Sequence, residues 1–269
     1  MLVEAVIDVL RPYHFRGKRR LLGSVAPQSG ERTARLFGYD VRFDLREMIQ
    51  RWIYIGAFEP YETSLVRDWL RPGMVFLDVG ANVGYFTLLA ASRVGGTGRV
   101  LAVEPSPYAY GRLRESVRVN GLSQVSVHPI GFSAESGMLG LYSPPEMDGF
   151  HSPTMAGHFG GPMVEVPVRR LDACLDEWDV PVVDLMKLDV EGHELRVLEG
   201  AAGPLASGRI RAVLCEFNDF WLRQQSSSPE ELNMMLVDAG FEDVGGPHRF
   251  LPGCCDTRFL VHRSVNGGR

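Results

Sequence analysis

What this sequence has little of narrows it first. It holds four cysteines, Cys174, Cys215, Cys254 and Cys255, and no CxxC pair. Zinc ribbons need paired thiolates at short spacing and small secreted scaffolds need a regular cysteine framework, so both are excluded. Cys254 and Cys255 are adjacent, and neighbouring residues rarely pair with each other; free thiols in a reducing cytoplasm are expected. No apolar run is long enough to cross a bilayer. The first ten residues are apolar but carry Glu4 and Asp8 and lack a basic leader, which predicts an amphipathic helix rather than a signal peptide. Positive charge is not in excess: 28 Lys and Arg stand against 33 Asp and Glu, for a formal net charge of −5. A broad basic face for nucleic acid is therefore not expected, and no D/N-P-P-Y-type stretch occurs. The one basic cluster, Arg16-Gly17-Lys18-Arg19-Arg20, reads as a solvated helix or loop. There are no internal repeats.

What is present is ordinary for a globular chain: 45% hydrophobic and 23% charged residues over 269 positions, enough to bury a core without staples. Residues 1–50 predict an N-terminal helical and hairpin extension, with helix over 1–25 and strands at 32–37 and 41–45 around Gly38-Tyr39-Asp40. Residues 51–269 predict the main domain. Its strands, at 74–79, 99–103, 124–129, 164–168, 182–188, 210–216 and 258–262, alternate with helical stretches. This rhythm predicts an α/β three-layer sandwich with a mainly parallel sheet. The Pro-, Gly- and Ser-rich stretch 143–162, with His151 and His158, predicts a lid or binding loop. Ligands in such sheets lie at the carboxyl ends of the strands. The acids at those ends, Asp78, Glu104, Asp189 and Glu216, are therefore considered together.

After the first apolar strand the chain runs Asp78-Val79-Gly80-Ala81-Asn82-Val83-Gly84. Gly80 permits a sharp turn, and Gly84 permits close approach of the following helix to the sheet. Asn82 stands where many such loops have a glycine and tolerates the left-handed region. Asp78 can accept from a cationic amino group such as the methionyl ammonium of S-adenosylmethionine (SAM). Glu104, 26 residues later at the next strand end, can accept both hydroxyls of an adenosine ribose. A dinucleotide loop needs G-x-G-x-x-G, and here Asn82 and Tyr85 occupy two of its glycine positions. SAM is the favoured ligand; a glycine-rich turn with no ligand is the other alternative.

Together, Phe58-Glu59-Pro60-Tyr61-Glu62-Thr63, Arg71-Pro72-Gly73, the 78–87 stretch, Glu104-Pro105 and Lys187-Leu188-Asp189-Val190-Glu191-Gly192-His193-Glu194 resemble the FkbM family of SAM-dependent methyltransferases, over roughly residues 50–245. The resemblance implies a class I Rossmann-like methyltransferase fold. It also implies O-methylation of sugars, polyketides or other secondary metabolites. It assigns the cofactor to Asp78, Gly80, Asn82, Gly84, Tyr85 and Glu104. Thr63 is added near the cofactor carboxylate, Ser106 near the ribose, and Asn120 and Gly131 near the adenine.

The segment 189–194 concentrates three acids and a histidine. Transfer to a hydroxyl requires removal of its proton, and a histidine suits that task, so His193 is the candidate base, with Asp189 and Glu191 beside it. Asp189 and Glu216 could alternatively hold Mg²⁺, by analogy with metal-dependent sugar O-methyltransferases of this class; capping of the following helix by Asp189 and Glu191 is the structural alternative. The expected acceptor is a hydroxyl of a sugar, glycoside or polysaccharide precursor. A polyketide or lipid acceptor and a non-catalytic SAM-binding subunit are the alternatives. The apolar N-terminal helix can pack on its own domain or on a second subunit, leaving a homodimer open. The expected location is the cytoplasm.

Overall fold

The computed structural model describes residues 2–11, 13, 15–142, 163–245 and 253–266. The expected loop at 143–162, with His151 and His158, lies outside them. Glu31–Leu36 (β1) and Tyr39–Asp44 (β2) form an antiparallel hairpin. Its register pairs Leu36 with Tyr39, so the turn falls on Phe37-Gly38, one residue earlier than the sequence pattern suggests. Phe37 takes a left-handed φ of 53° and packs edge-on against Tyr85, with centroids 5.2 Å apart. A tertiary contact thus places an aromatic residue where local preference favours asparagine or glycine.

Apolar runs covered on both faces become parallel strands. Val75–Val79 (β3), Arg99–Val103 (β4), Val125–His128 (β5), Leu185–Leu188 (β9), Ala212–Asn218 (β10), Phe241–Asp243 (β11) and Cys255–His262 (β12) form one seven-stranded sheet. Its order is β11-β12-β10-β9-β3-β4-β5, and β12 runs antiparallel to both neighbours. Successive strand residues face opposite layers. Phe76 joins a buried cluster with Leu88 and Val100, whereas Leu77 joins one with Met186, Val213 and Leu205. These two layers, with helices on both sides of the sheet, give the expected sandwich.

Gly131–Phe132 (β6), Gly137–Tyr142 (β7) and Met163–Arg169 (β8) make a small second sheet in the order β6-β8-β7. Only β8 was legible beforehand. β7 has no strong alternation and is defined by its antiparallel pairing with β8, from Gly137↔Val168 to Tyr142↔Met163.

The expected continuous helix over 1–25 is two helices, Leu2–Leu10 and Lys18–Gly23, with Gly17 at φ 85° before the second. Lys18 departs from the expected solvated basic cluster. It is 4% exposed, and its ammonium donates to the carbonyls of Arg11, Tyr13 and Gly56 at 2.8–2.9 Å. Ile7, Leu22, Val41 and Phe43 belong to the same buried cluster as Phe76 and Leu88. Burying each such aliphatic side chain contributes roughly 1.5–3 kcal/mol, so the extension and the main sheet share a core. Ser228 caps the helix Pro229–Asp238 as its position suggests, accepting from the Glu231 N–H at 3.2 Å. Among the described residues, no helix is long and apolar enough to cross a membrane.

Candidate active site

The central strand β3 has β4, the next strand of the main sheet, on one side and the much later β9 on the other. Chain connections therefore diverge at its carboxyl end and leave a crevice. Val79 pairs with Leu188, so the loops beginning at Gly80 and Asp189 leave the sheet side by side. Gly80 has φ 80°, and a Cβ there would lie 1.9 Å from the Asp189 carbonyl oxygen. Gly84 has φ 95°, and its Cβ would lie 2.4 Å from Leu113 Cδ1, so it serves approach to the helix Pro107–Val119. Asn82 adopts the expected left-handed conformation at φ 49°. A Gly80→Ala chain is expected to lose about 1–3 kcal/mol from backbone strain alone. Its cofactor affinity should fall as the two loops separate. Denaturant unfolding and a cofactor titration would measure both, and a wild-type midpoint with wild-type affinity would contradict this account.

A cavity of about 440 Å³ opens over these strand ends. Asp78, Gly80, Asn82, Tyr85, Glu104 and Gly131 line one part of it. Asp189, Glu191, His193 and Glu216 line another. The remaining expected residues act from behind. Thr63 pairs its hydroxyl with that of Tyr85 at 3.0 Å. Ser106 donates its N–H to Glu104 Oε1 at 2.7 Å, and Gly84 contributes its close approach. Asn120 does not reach the cavity wall: its side-chain amide brackets the Asp40 backbone, both bonds being 2.8 Å.

Asp78 is buried, and Thr87 donates to its Oδ2 at 2.6 Å. Its Oδ1 is buried with no hydrogen-bond partner among the described residues. Burial raises its pKa, while Lys187 and Thr87 pull the other way. An orphaned carboxylate oxygen on a cavity wall fits a cationic donor such as an amino acid ammonium. Glu104 accepts from Asn82 N–H at 2.8 Å as well as from Ser106. Burial pushes it up to about 7 against those two bonds. The glycine turn, the orphaned Asp78 oxygen and the braced Glu104 together fit SAM.

Charge is concentrated where the two loops meet. Lys187 is 5% exposed and donates to Asp189 Oδ2 at 2.6 Å, with its ammonium 4.8 Å from the Phe86 ring centroid. Burial opposes its charge, yet Asp189, Glu59 and Asp78 hold its pKa above the ordinary lysine value. Glu59, just before the helix Pro60–Trp69, sits at φ 35°, and both N–H and hydroxyl of Thr63 donate to its carbonyl. Burial pushes its carboxyl up to about 8, with Lys187 opposing and Asp189, Glu62 and Asp78 adding. Glu191 is raised well above the usual range by burial and by Glu216, Asp189 and Glu194. Glu194 is fully buried and accepts from the N–H groups of Val190 and Gly192, bracing the turn. His193 pairs Nε2 with the Ser133 hydroxyl at 3.1 Å, and its Nδ1 is buried without a partner among the described residues. Burial lowers its pKa to about 4.

The donor set expected for Mg²⁺ is not assembled. Among the described residues, no three His, Cys, Asp or Glu groups converge as ligands. Asp189 Oδ2 is bound to Lys187, and Glu216 Oε1 accepts from the Cys255 thiol at 3.1 Å.

Two site residues were not singled out from the sequence. Glu59 and Lys187 lay inside quoted motifs, and a Glu-Pro pair opening a helix was the signal for the first. A third lining residue, Arg19, stands over the Trp52 ring at 3.9 Å and belongs to the basic cluster read as solvated; no local pattern points it at the cavity.

A family model described as the methyltransferase FkbM domain matches residues 78–242. The hexuronic acid methyltransferase AglP of Haloferax volcanii is 30% identical over 211 residues, covering 77% of this chain and 80% of that protein. The 31-O-demethyl-FK506 methyltransferase FkbM of Streptomyces tacrolimicus is 33% identical over 184 residues, 56% of this chain and 67% of that one. A crystal structure of methyltransferase FkbM from Methylobacillus flagellatus aligns with a TM-score of 0.46 at 16% identity, covering 79% of this chain and 54% of that one. The chain belongs to the FkbM family of SAM-dependent methyltransferases.

Proposed function

We propose that this methyltransferase acts on a hydroxyl of a sugar or glycoside. The observation that carries the reading is a second cavity, of about 370 Å³, with Glu59, Glu62, Glu216 and Asp256 on its wall. It shares Glu59, Lys187, Asp189, Glu216 and Cys255 with the cofactor cavity. A polyhydroxylated acceptor can donate to these carboxylates as water does, whereas a lipid or apolar polyketide would desolvate them unpaired. The rim residue Tyr61 adds an aromatic face. The similarity to a hexuronic acid methyltransferase supports the same acceptor class.

SAM supplies an electrophilic methyl group on a sulfonium. The residues of this chain must orient the acceptor hydroxyl and take its proton as the new O–C bond forms. Glu59 suits the proton acceptor, because it lines both cavities and burial pushes its carboxyl up to about 8. His193, expected as the base, is neutral above about pH 4 and binds a proton weakly, which suits an orienting hydrogen-bond acceptor better. Asp189, held by Lys187, and Glu191 are assigned to positioning the acceptor.

The test is labelled SAM incubated with sugars, glycosides and a macrolide polyketide, with and without EDTA. Label in a glycoside at a rate EDTA does not change is the expected result. Label in the macrolide alone overturns the acceptor class, and loss of all transfer in EDTA overturns the metal-free chemistry.

A further inference from the structure

We infer that the acceptor carries a positively charged amino group near its reacting hydroxyl, as an amino sugar does, and that a sugar bearing a carboxylate is disfavoured. This rests on the methyltransferase reading of the two adjoining cavities and names the acceptor more narrowly.

The smaller cavity is lined by Glu59, Glu62, Asp189, Glu216 and Asp256, with Lys187 as the cation on its wall. Lys187 is already committed to Asp189 at 2.6 Å, and Asp256 pairs with Arg258 at 3.4 Å. Glu59, Glu62 and Glu216 make no ion pair among the described residues. A uronate would therefore bring its negative charge to a wall whose nearest ammonium is taken.

A second observation points to a ligand independently of this balance of charge. Glu216 Oε1 accepts from Cys255, but Oε2 is buried and has no hydrogen-bond partner among the described residues. Buried carboxylate oxygens are normally satisfied, and this one belongs to a side chain on the cavity wall. An ammonium presents three donors and a positive charge, so it can meet Oε2 and a neighbouring carboxylate together. A neutral hydroxyl can supply one donor but brings no positive charge.

The difference from the hexuronic acid methyltransferase is then one of acceptor charge. The two proteins share a family, while the wall of this cavity favours the opposite sign.

Calorimetry on the full chain saturated with S-adenosylhomocysteine tests this, with the methyl glycosides of glucosamine, glucose and glucuronic acid as probes. The glucosaminide is expected to bind about tenfold tighter than the glucoside, the size of one charge-assisted hydrogen bond, and the glucuronide weakest. In a Glu62→Gln/Glu216→Gln chain the preference should fall to about one while S-adenosylhomocysteine still binds. Equal binding of the three probes, binding of none, a glucuronide preference, or a glucosaminide preference that survives both substitutions overturns the inference. Failure of S-adenosylhomocysteine to bind the wild-type chain is a separate result, which sinks the cofactor reading and this inference with it.

Discussion

A Lys187→Met chain is expected to lose about 3–5 kcal/mol of folding stability, the cost of leaving buried charges without their partner. Methionine keeps the length of the side chain and its contact with Phe86, so the loss reports charge rather than packing. The ammonium it removes is bound to Asp189 at 2.6 Å and also attracts Glu59 and Asp78. Without it these carboxylates raise one another's proton affinity, and the folded state takes up protons that the unfolded state does not. A group whose folded pKa lies above its unfolded value loses stability as pH rises. The deficit should therefore shrink as pH falls toward the ordinary carboxylate range. Urea unfolding at several pH values measures it. A loss below about 1 kcal/mol would place Lys187 among ordinary surface pairs and remove the charge-balance account of the site.

Glu59→Gln is expected to slow methyl transfer by roughly 10²–10⁴-fold, the usual contribution of a positioned base, while cofactor affinity changes little. The wild-type rate should rise with pH as the Glu59 carboxyl, pushed up to about 8, loses its proton; the variant should lack that limb. The stability effect has the opposite sense. Burial raises this carboxyl from 4.5, so its contribution is lost as pH rises from the ordinary value to about 8. The variant should gain on the wild type across that window. Single-turnover rates and thermal melts over the same pH range give both readings. His193→Ala supplies the contrast: with a pKa of about 4 it cannot produce a limb near neutrality. If the limb disappears in His193→Ala and persists in Glu59→Gln, the base assignment reverts to the histidine.

Much of the cofactor site was legible because its constraints are local. A buried parallel strand needs an uninterrupted apolar run, and Val75–Val79 shows one. The turn after it needs left-handed residues, and Gly80, Asn82 and Gly84 all have positive φ. The strand-end position of Glu104 and its spacing from Asp78 follow from one strand–helix–strand unit. The helix Pro107–Val119 has its boundaries written by Ser106, Pro107 and Gly121. Where local signals were weak, expectation slipped. β7 depends on a partner strand, and the hairpin turn on Phe37 held by Tyr85.

The acceptor side was less legible for a different reason. His193 suited a base by residue type, but its proton affinity depends on how deeply the fold buries it. Glu59 looked like a helix-opening residue and comes to line the cavities only where the crevice brings it near Lys187, far away in sequence. Arg19 reaches the cavity because the N-terminal helices share a core with the sheet and bring the guanidinium over Trp52.

The sequence by itself determined the class of fold, the methyl donor and the strand ends that are candidates to hold it. Backbone conformation and burial pattern are properties of short segments, and those segments carry them. Only the tertiary structure decided which carboxylates line both cavities, which ammonium is already spent, and which oxygens are left without a donor among the described residues. Charge and hydrogen bonding act through space between residues that the chain keeps apart.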